Sequence, residues 1–209
     1  MTPPPPSPIA PSPRGQQTRA LLLEAAYQQF VSRGYHGTSM RSIAEAAGIT
    51  VGGIYNHFAG KEEIFKAVIL AHHPISVILP ELLQAQGEDL ESLLRDAATR
   101  FQAHFQERPG LFNLLFIELI ECQGRHLSEL LAAFLPQMAQ LGQRLESLPG
   151  LRADLSPMAF LRAFLANLFA YQITEQLLQE AGASDNLGNL EDFIQIFLHG
   201  ALTPADDTA

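Results

Sequence analysis

Residues 38–65 read TSMRSIAEAAGITVGGIYNHFAGKEEIF, and their spacing decides the fold at the head of the chain. A short helix is predicted from about Ser39 to Ala47, with Thr38 or Ser39 offering a hydroxyl to its first free amides. Gly48 supplies the turn, in a conformation that side chains resist, and Thr50 caps a further helix ending near Phe58. Ala44, Gly48 and Ile54 stand where a helix-turn-helix needs a small residue, a turn glycine and a buried aliphatic. Ile43 and Phe58 add apolar contacts at helical spacing. The next helix starts around 60–63, where Glu62 and Glu63 suit the positive end of the helix dipole, and runs to His73, where Pro74 breaks or kinks it.

Upstream, helical periodicity begins near Gly15. Leu22, Ala25, Ala26, Phe30 and Val31 share one face, and Gly34 is placed to stop that helix. Residues 1–13 (MTPPPPSPIAPSP) are read as a disordered tail, because proline lacks the amide donor and blocks the preceding turn. Downstream, helices are predicted near 88–107, 110–123, 126–147, 157–181 and 190–199, punctuated by Pro109-Gly110, Gly124, Pro149-Gly150, Gly182 and Gly200. The fold class is therefore all-α. The expected organisation is a tail at 1–13, a helix-turn-helix domain at 14–60 and a helical sensing and dimerisation domain at 61–209.

The formal net charge of -9 argues against nucleic acid until its distribution is considered. Residues 1–66 hold six Arg or Lys and four acids; the remainder holds seven and eighteen. A mildly basic head on an acidic body is compatible with DNA binding by the head alone. The single cysteine, Cys122, excludes an internal disulfide and a multi-cysteine zinc site and fits a reducing compartment. The greasiest stretch, Leu111 to Ile120, is interrupted by Glu118 and flanked by Glu121, so no membrane span is expected. With no secretory signal pattern, the cytoplasm is the expected compartment. No nucleophile elbow, glycine-rich phosphate loop or metal-spaced His/Cys set is present, so neither enzyme activity, cofactor nor metal is expected.

The stretch quoted above resembles the DNA-binding signature of the TetR family. Its Thr-x-x-x-Ile-Ala, Ala-Gly-Ile, x-Tyr-x-His-Phe and Lys-Glu-Glu elements fall in order without a gap, and with the preceding helix the likeness covers roughly residues 15–70. The resemblance implies a dimeric transcriptional repressor on a palindromic double-stranded operator, released by a small effector. Tyr55 and Lys61 match positions that usually contact the sugar-phosphate backbone, and Arg41 matches one that reaches a base. Thr38 and Ser39 crown a helix where hydroxyls and amides meet a phosphate. Thr50, Val51, Gly52 and Gly53 would face the major groove, with Asn56 one turn later. His57 matches a family histidine with a packing or phosphate role. The glycine pair departs from the common pattern and costs about 1 kcal/mol per residue relative to alanine. Base discrimination is therefore expected from Arg41, Tyr55 and Asn56. A helical adaptor without DNA binding is the alternative.

His104, Asn113, Phe116, Glu118, Asn167 and Tyr171 are candidates to line a pocket for a small hydrophobic or amphipathic effector. Glu118 falls among apolar neighbours, where Arg100 is a candidate partner, and Glu121 with Arg125 reads as a pair one helical turn apart. The helices 157–181 and 190–199 are apolar on two sides, which calls for a second burial partner. Phe160, Phe164, Phe193 and Phe197 are the expected homodimer contacts in an intersubunit four-helix bundle. The helix from Lys61 to His73, joining the two domains, is the expected hinge.

Overall fold

The computed structural model describes residues 13–107, 110–183 and 187–199, in two compact units. The first is built from residues up to His73 together with 113–128; the second from 74–112 and 129 onward. This division differs from the expected boundary at 60/61. The helix beginning at Lys61 belongs with the head because Ile64, Phe65, Val68 and Ile69 are all buried there.

In the first unit, α1 (Pro13–Gly37), α2 (Met40–Ala46), α3 (Val51–Tyr55) and α4 (Lys61–His72) enclose a core of Leu22, Phe30, Ile43, Ala44, Ile54, Phe58 and Phe65. The rings of Phe30 and Phe65 meet edge to face at 4.9 Å. Ser39 caps α2: its hydroxyl accepts from the Ser42 amide while the Ser42 hydroxyl accepts from the Ser39 amide, both at 3.0 Å. Thr50 caps α3 by accepting from the Gly53 amide at 3.1 Å. Gly48, at φ +69, makes the turn between them. Three details depart from expectation. α1 starts at Pro13, since proline is tolerated where the amide is free anyway. It bends at Gly34 (φ 72) and continues to Gly37, and α3 is a turn shorter than predicted. Residues 1–12 lie outside the described residues.

The unit is completed by the end of α7 (Leu111–Phe116), a π-helical turn over Ile117–Glu121 and the turn leading to α8 (Leu127–Ser147).

The second unit contains α5 (Pro74–Gln84), α6 (Leu90–Glu107), Leu111 and Phe112, most of α8, α9 (Pro157–Glu180) and α10 (Leu190–His199). The α5 helix is absent from the sequence reading, which took Pro74 as a break or kink; Pro74 instead opens the helix, and Pro80 sits inside it. The Arg144 guanidinium donates to the carbonyls of Leu83 and Ala85 at 3.0 and 2.5 Å, satisfying acceptors at the end of α5. Residues 61–84 form the most apolar run, but the chain is extended at His73 (ψ 143), and Ile78, Leu79 and Leu82 are buried in the protein. Phe101, Phe105, Phe112 and Phe169 interlock as core, with centroids 4.5–6.3 Å apart.

The aromatic residues expected at a dimer interface also make contacts within the chain, with Phe160, Phe193 and Phe197 left half-buried. Phe164 is buried, Phe160 and Phe164 pack on Phe197, and Phe193 packs on Tyr171. The apolar side chains that these helices leave exposed are Met158, Leu177 and Ile196.

Candidate nucleic-acid interface

The helix-turn-helix presents an exposed face made by Ser39, Arg41, Thr50, Val51, Gly52, Tyr55 and Asn56, with Gly53 and His57 half-buried beside it. Ile54 points the other way and is fully buried, so the position of α3 is fixed by one aliphatic plug and its Thr50 cap. Val51 and Tyr55 are large apolar or aromatic side chains left 42 % and 53 % exposed. A Cβ built on Gly52 meets nothing within 4 Å, so its bare backbone is open to a closely approaching partner. Arg41 extends from α2 with its guanidinium on Glu45 at 2.8 Å, an exposed pair that an approaching phosphate or base edge competes for on even terms. Arg19, which sequence reasoning passed over, lies on the Phe58 ring at 4.8 Å; its only signal in the sequence is that it adds to the basic surplus of the head.

Two of the expected phosphate contacts have other occupations. The Thr38 side chain is buried, and its hydroxyl donates to the Gly34 carbonyl at 2.8 Å. Lys61 donates from Nζ to the carbonyls of Tyr35 and Thr38 at 2.8 and 2.9 Å and lies 4.4 Å from the Tyr35 ring centre. Both side chains hold the 35–38 loop that delivers the chain into α2. Lys61→Met, which keeps the stem and removes the donors, is expected to lower stability by about 1–3 kcal/mol, because buried carbonyls lose their partner. The slope of log affinity for DNA against log salt is expected to stay unchanged. A direct phosphate contact would instead reduce that slope by about one unit, which would overturn the assignment.

Behind this face lies a cluster that the sequence reading missed. Glu118 is fully buried; its carboxylate accepts from the His126 amide at 2.7 Å and sits 2.8 Å from His126 Nδ1. His126 Nε2 faces Glu62 of α4 at 2.8 Å, and the Tyr35 hydroxyl donates to the other oxygen of Glu62 at 2.9 Å. The bonds from His126 and Tyr35 hold the Glu62 carboxyl below the ordinary carboxylate range. Burial, reinforced by Glu62, pushes the Tyr35 phenol up to about 12, so it remains a donor. Neither expected pairing survives. Arg100 serves Asp96 and Glu81 rather than Glu118. Glu121 accepts from the His36 amide at 2.9 Å, and Arg125 approaches Glu62 at 3.7 Å. The missing signal was tertiary: Glu62 and His126 are 64 residues apart.

The six candidate pocket residues are divided between the two units. Glu118 is occupied as described, and Asn113 and Phe116 are exposed in the first unit. In the second, His104 lies 4.0 Å from Glu81, Asn167 donates to the Phe193 carbonyl at 3.4 Å, and Tyr171 is buried. The second unit offers instead an open groove of about 310 Å³ walled by Gln102, Phe105, Gln172, Glu175, Gln176 and Gln179. Its apolar centre, between Leu82, Leu93, Leu141 and Phe164, leaves only about 10 Å³.

With this geometry in view, the comparisons with known proteins are specific for the head. Residues 22–68 match the family model of the bacterial regulatory proteins, tetR family. The likeness to that family lies in this segment of the chain. The chain is 45 % identical over 73 residues to the HTH-type transcriptional regulator TtgR of Pseudomonas putida, a match covering 35 % of each protein. It is 43 % identical over 56 residues to the HTH-type transcriptional activator FasR of Mycolicibacterium smegmatis, covering 27 % of this chain and 26 % of FasR. The chain thus spans about a third or less of the length of these relatives. Among solved structures, it is similar to the fatty acid degradation regulator FadR of Bacillus halodurans (TM-score 0.67, 20 % identity, covering 88 % of this chain and 95 % of that one). A TetR family transcription regulator from Marinobacter aquaeolei gives a TM-score of 0.63 at 22 % identity, with 90 % and 96 % covered. At these identities the two structures establish a shared fold.

Proposed function

We propose that the chain is a sequence-specific DNA-binding transcriptional regulator of the bacterial cytoplasm. On this reading it acts as a repressor, binding a palindromic operator as a homodimer with recognition helices about 34–36 Å apart. The observation that carries the reading is the exposed face of α2 and α3. Ser39, Arg41, Val51, Tyr55 and Asn56 project from elements whose opposite sides are fully buried. Gly52 offers bare backbone where the groove would be closest. Sequence discrimination falls to Arg41, Tyr55 and Asn56, since a valine touches a thymine methyl but donates no hydrogen bond. A small effector taken up by the second unit releases the operator; a coupling of about 1–3 kcal/mol is enough for a 5- to 150-fold change in affinity. The relatives support a regulator, and one of them, FasR, is a transcriptional activator.

The test is fluorescence anisotropy with duplex DNA from upstream of the chain's own reading frame, repeated across salt concentrations. A steep loss of affinity with salt is expected. Gly52→Glu separates binding from folding. Glutamate has the better helix propensity, so the melting temperature is expected to hold or rise, while a carboxylate set against phosphates lowers affinity more than about tenfold. Absence of any salt-sensitive binding by the unaltered chain would favour the helical adaptor. Unchanged affinity in the variant would move the groove contact away from α3.

A further inference from the structure

The chain between Ile117 and His126 is shaped in an unusual way. The Cys122 amide donates to the Ile117 carbonyl at 3.1 Å, the five-residue spacing of a π turn, and the Gly124 amide reaches back to the Glu118 carbonyl at 2.9 Å. Gln123 then adopts φ 56, the one positive φ outside glycine among the described residues, followed by Gly124 at φ 70. Single π turns and non-glycine residues held at positive φ concentrate at functional sites, because they are retained where they aim a side chain. Here they aim three. One donor atom each from Glu118, Cys122 and His126 lies within 4.8 Å of the others, and all three residues are buried.

We propose that Glu118, Cys122 and His126 form a binding site for one thiophilic divalent cation of the zinc class, with Glu62 as the positioning residue that orients the histidine. The donor set is carboxylate oxygen, thiolate and imidazole, the ligands such an ion takes in tetrahedral sites. His126 presents Nδ1 toward Glu118 at 2.8 Å while its other nitrogen faces the Glu62 carboxylate at 2.8 Å. This is the carboxylate–histidine–metal arrangement in which the outer carboxylate fixes the tautomer and the ring plane. Bond lengths of about 2.0–2.3 Å put ligand atoms of a tetrahedral ion about 3.3–3.8 Å apart, so the Glu118–His126 contact opens and the longer separations close, by side-chain movement of about 1 Å. Three protein ligands leave a fourth position for water.

The electrostatics suit the exchange. Glu118, Glu62 and Glu121 set negative charge around Cys122, which suits an incoming dication. On binding, the Cys122 thiol proton passes to water as the dication enters, so the ion meets a carboxylate, a thiolate and an imidazole nitrogen. Glu62, 42 % exposed, gives the cluster an edge on water.

The experiment uses the full chain freed of metal with a chelator and titrated with Co²⁺, then with Zn²⁺ in competition. One Co²⁺ per chain is expected, with a thiolate-to-cobalt charge-transfer band in the near ultraviolet that Zn²⁺ abolishes. Cys122→Ser, a change of one atom, is expected to keep the helical circular dichroism and lose the band. Glu62→Gln is expected to keep the band and weaken affinity about 10- to 100-fold. No stoichiometric binding, or binding without the band, would overturn the site and leave a purely hydrogen-bonded cluster. Full affinity in Glu62→Gln would overturn the positioning role. None of these readouts involves DNA, so they stand apart from the test of operator binding.

Discussion

Replacing His126 with alanine is expected to lower folding stability by about 3–5 kcal/mol, measured by urea unfolding in the presence of a chelator. Glu118 has no exposed surface, and one of its oxygens relies on His126 Nδ1 at 2.8 Å; the other keeps the backbone amide of residue 126. Truncation therefore leaves a carboxylate in the interior with half its partners, which costs far more than an average hydrogen bond. The edge contact between the rings of Phe65 and His126, 5.4 Å between centroids, is lost as well. The double variant Glu118→Leu/His126→Leu tests the cause. Replacing both ends of a buried ion pair by apolar groups of similar size is often neutral, so the double variant is expected to be more stable than His126→Ala alone. A double variant as unstable as the single one would mean that the cost comes from packing. Loss of under about 1 kcal/mol in His126→Ala would show the pair to be solvated.

The cluster also shows why some of this protein was legible in the sequence and some was not. Local rules place most helices to within a few residues, because caps and breakers act over three or four positions. Thr50 and Gly48 mark the helix-turn-helix, and Ser156-Pro157 opens α9. The same locality misled at Pro74, which reads as a stop from upstream and as a first-turn proline from downstream. Surface residues were legible where exposure follows from opposite-face burial, as for Arg41, Val51 and Tyr55. The partners of Lys61 and Thr38 were not legible because they are main-chain carbonyls of residues 34–38, and no side-chain pattern reports a carbonyl. The phenylalanines of α9 and α10 were apolar on two sides as expected, but the second side is partly covered within the chain. Glu118 was recognised as misplaced without its partner being identifiable, since the π turn that re-aims it has no sequence signature.

Ile54→Ala is expected to abolish operator binding at moderate temperature through loss of α3 rather than loss of a contact. The helix spans only five residues, Val51–Tyr55, and carries two glycines. A helix of that length has no stability of its own in water, where even sequences of 12–15 residues are marginal, by about the usual cooperative limit. What holds it is the Thr50 cap and the fully buried Ile54 and nearly buried Phe58. Removing the Ile54 side chain leaves a cavity in the head and costs about 2–5 kcal/mol, a large share of the total for a small unit. Ile54→Val removes one methylene and is expected to cost about 0.5–1.5 kcal/mol with binding retained. Tyr55→Ala supplies the opposite split: the ring is 53 % exposed, so stability is expected to change by less than about 0.5 kcal/mol while affinity for DNA falls. Hydrogen exchange reads the difference directly, because the amides of Asn56, His57 and Phe58 bond back to Gly53 and Ile54 at 3.0–3.3 Å and lose protection only if the helix opens. Protection retained in Ile54→Ala together with lost binding would show that Ile54 acts at the DNA surface. The five-residue helix would then be held by its cap and Phe58 alone.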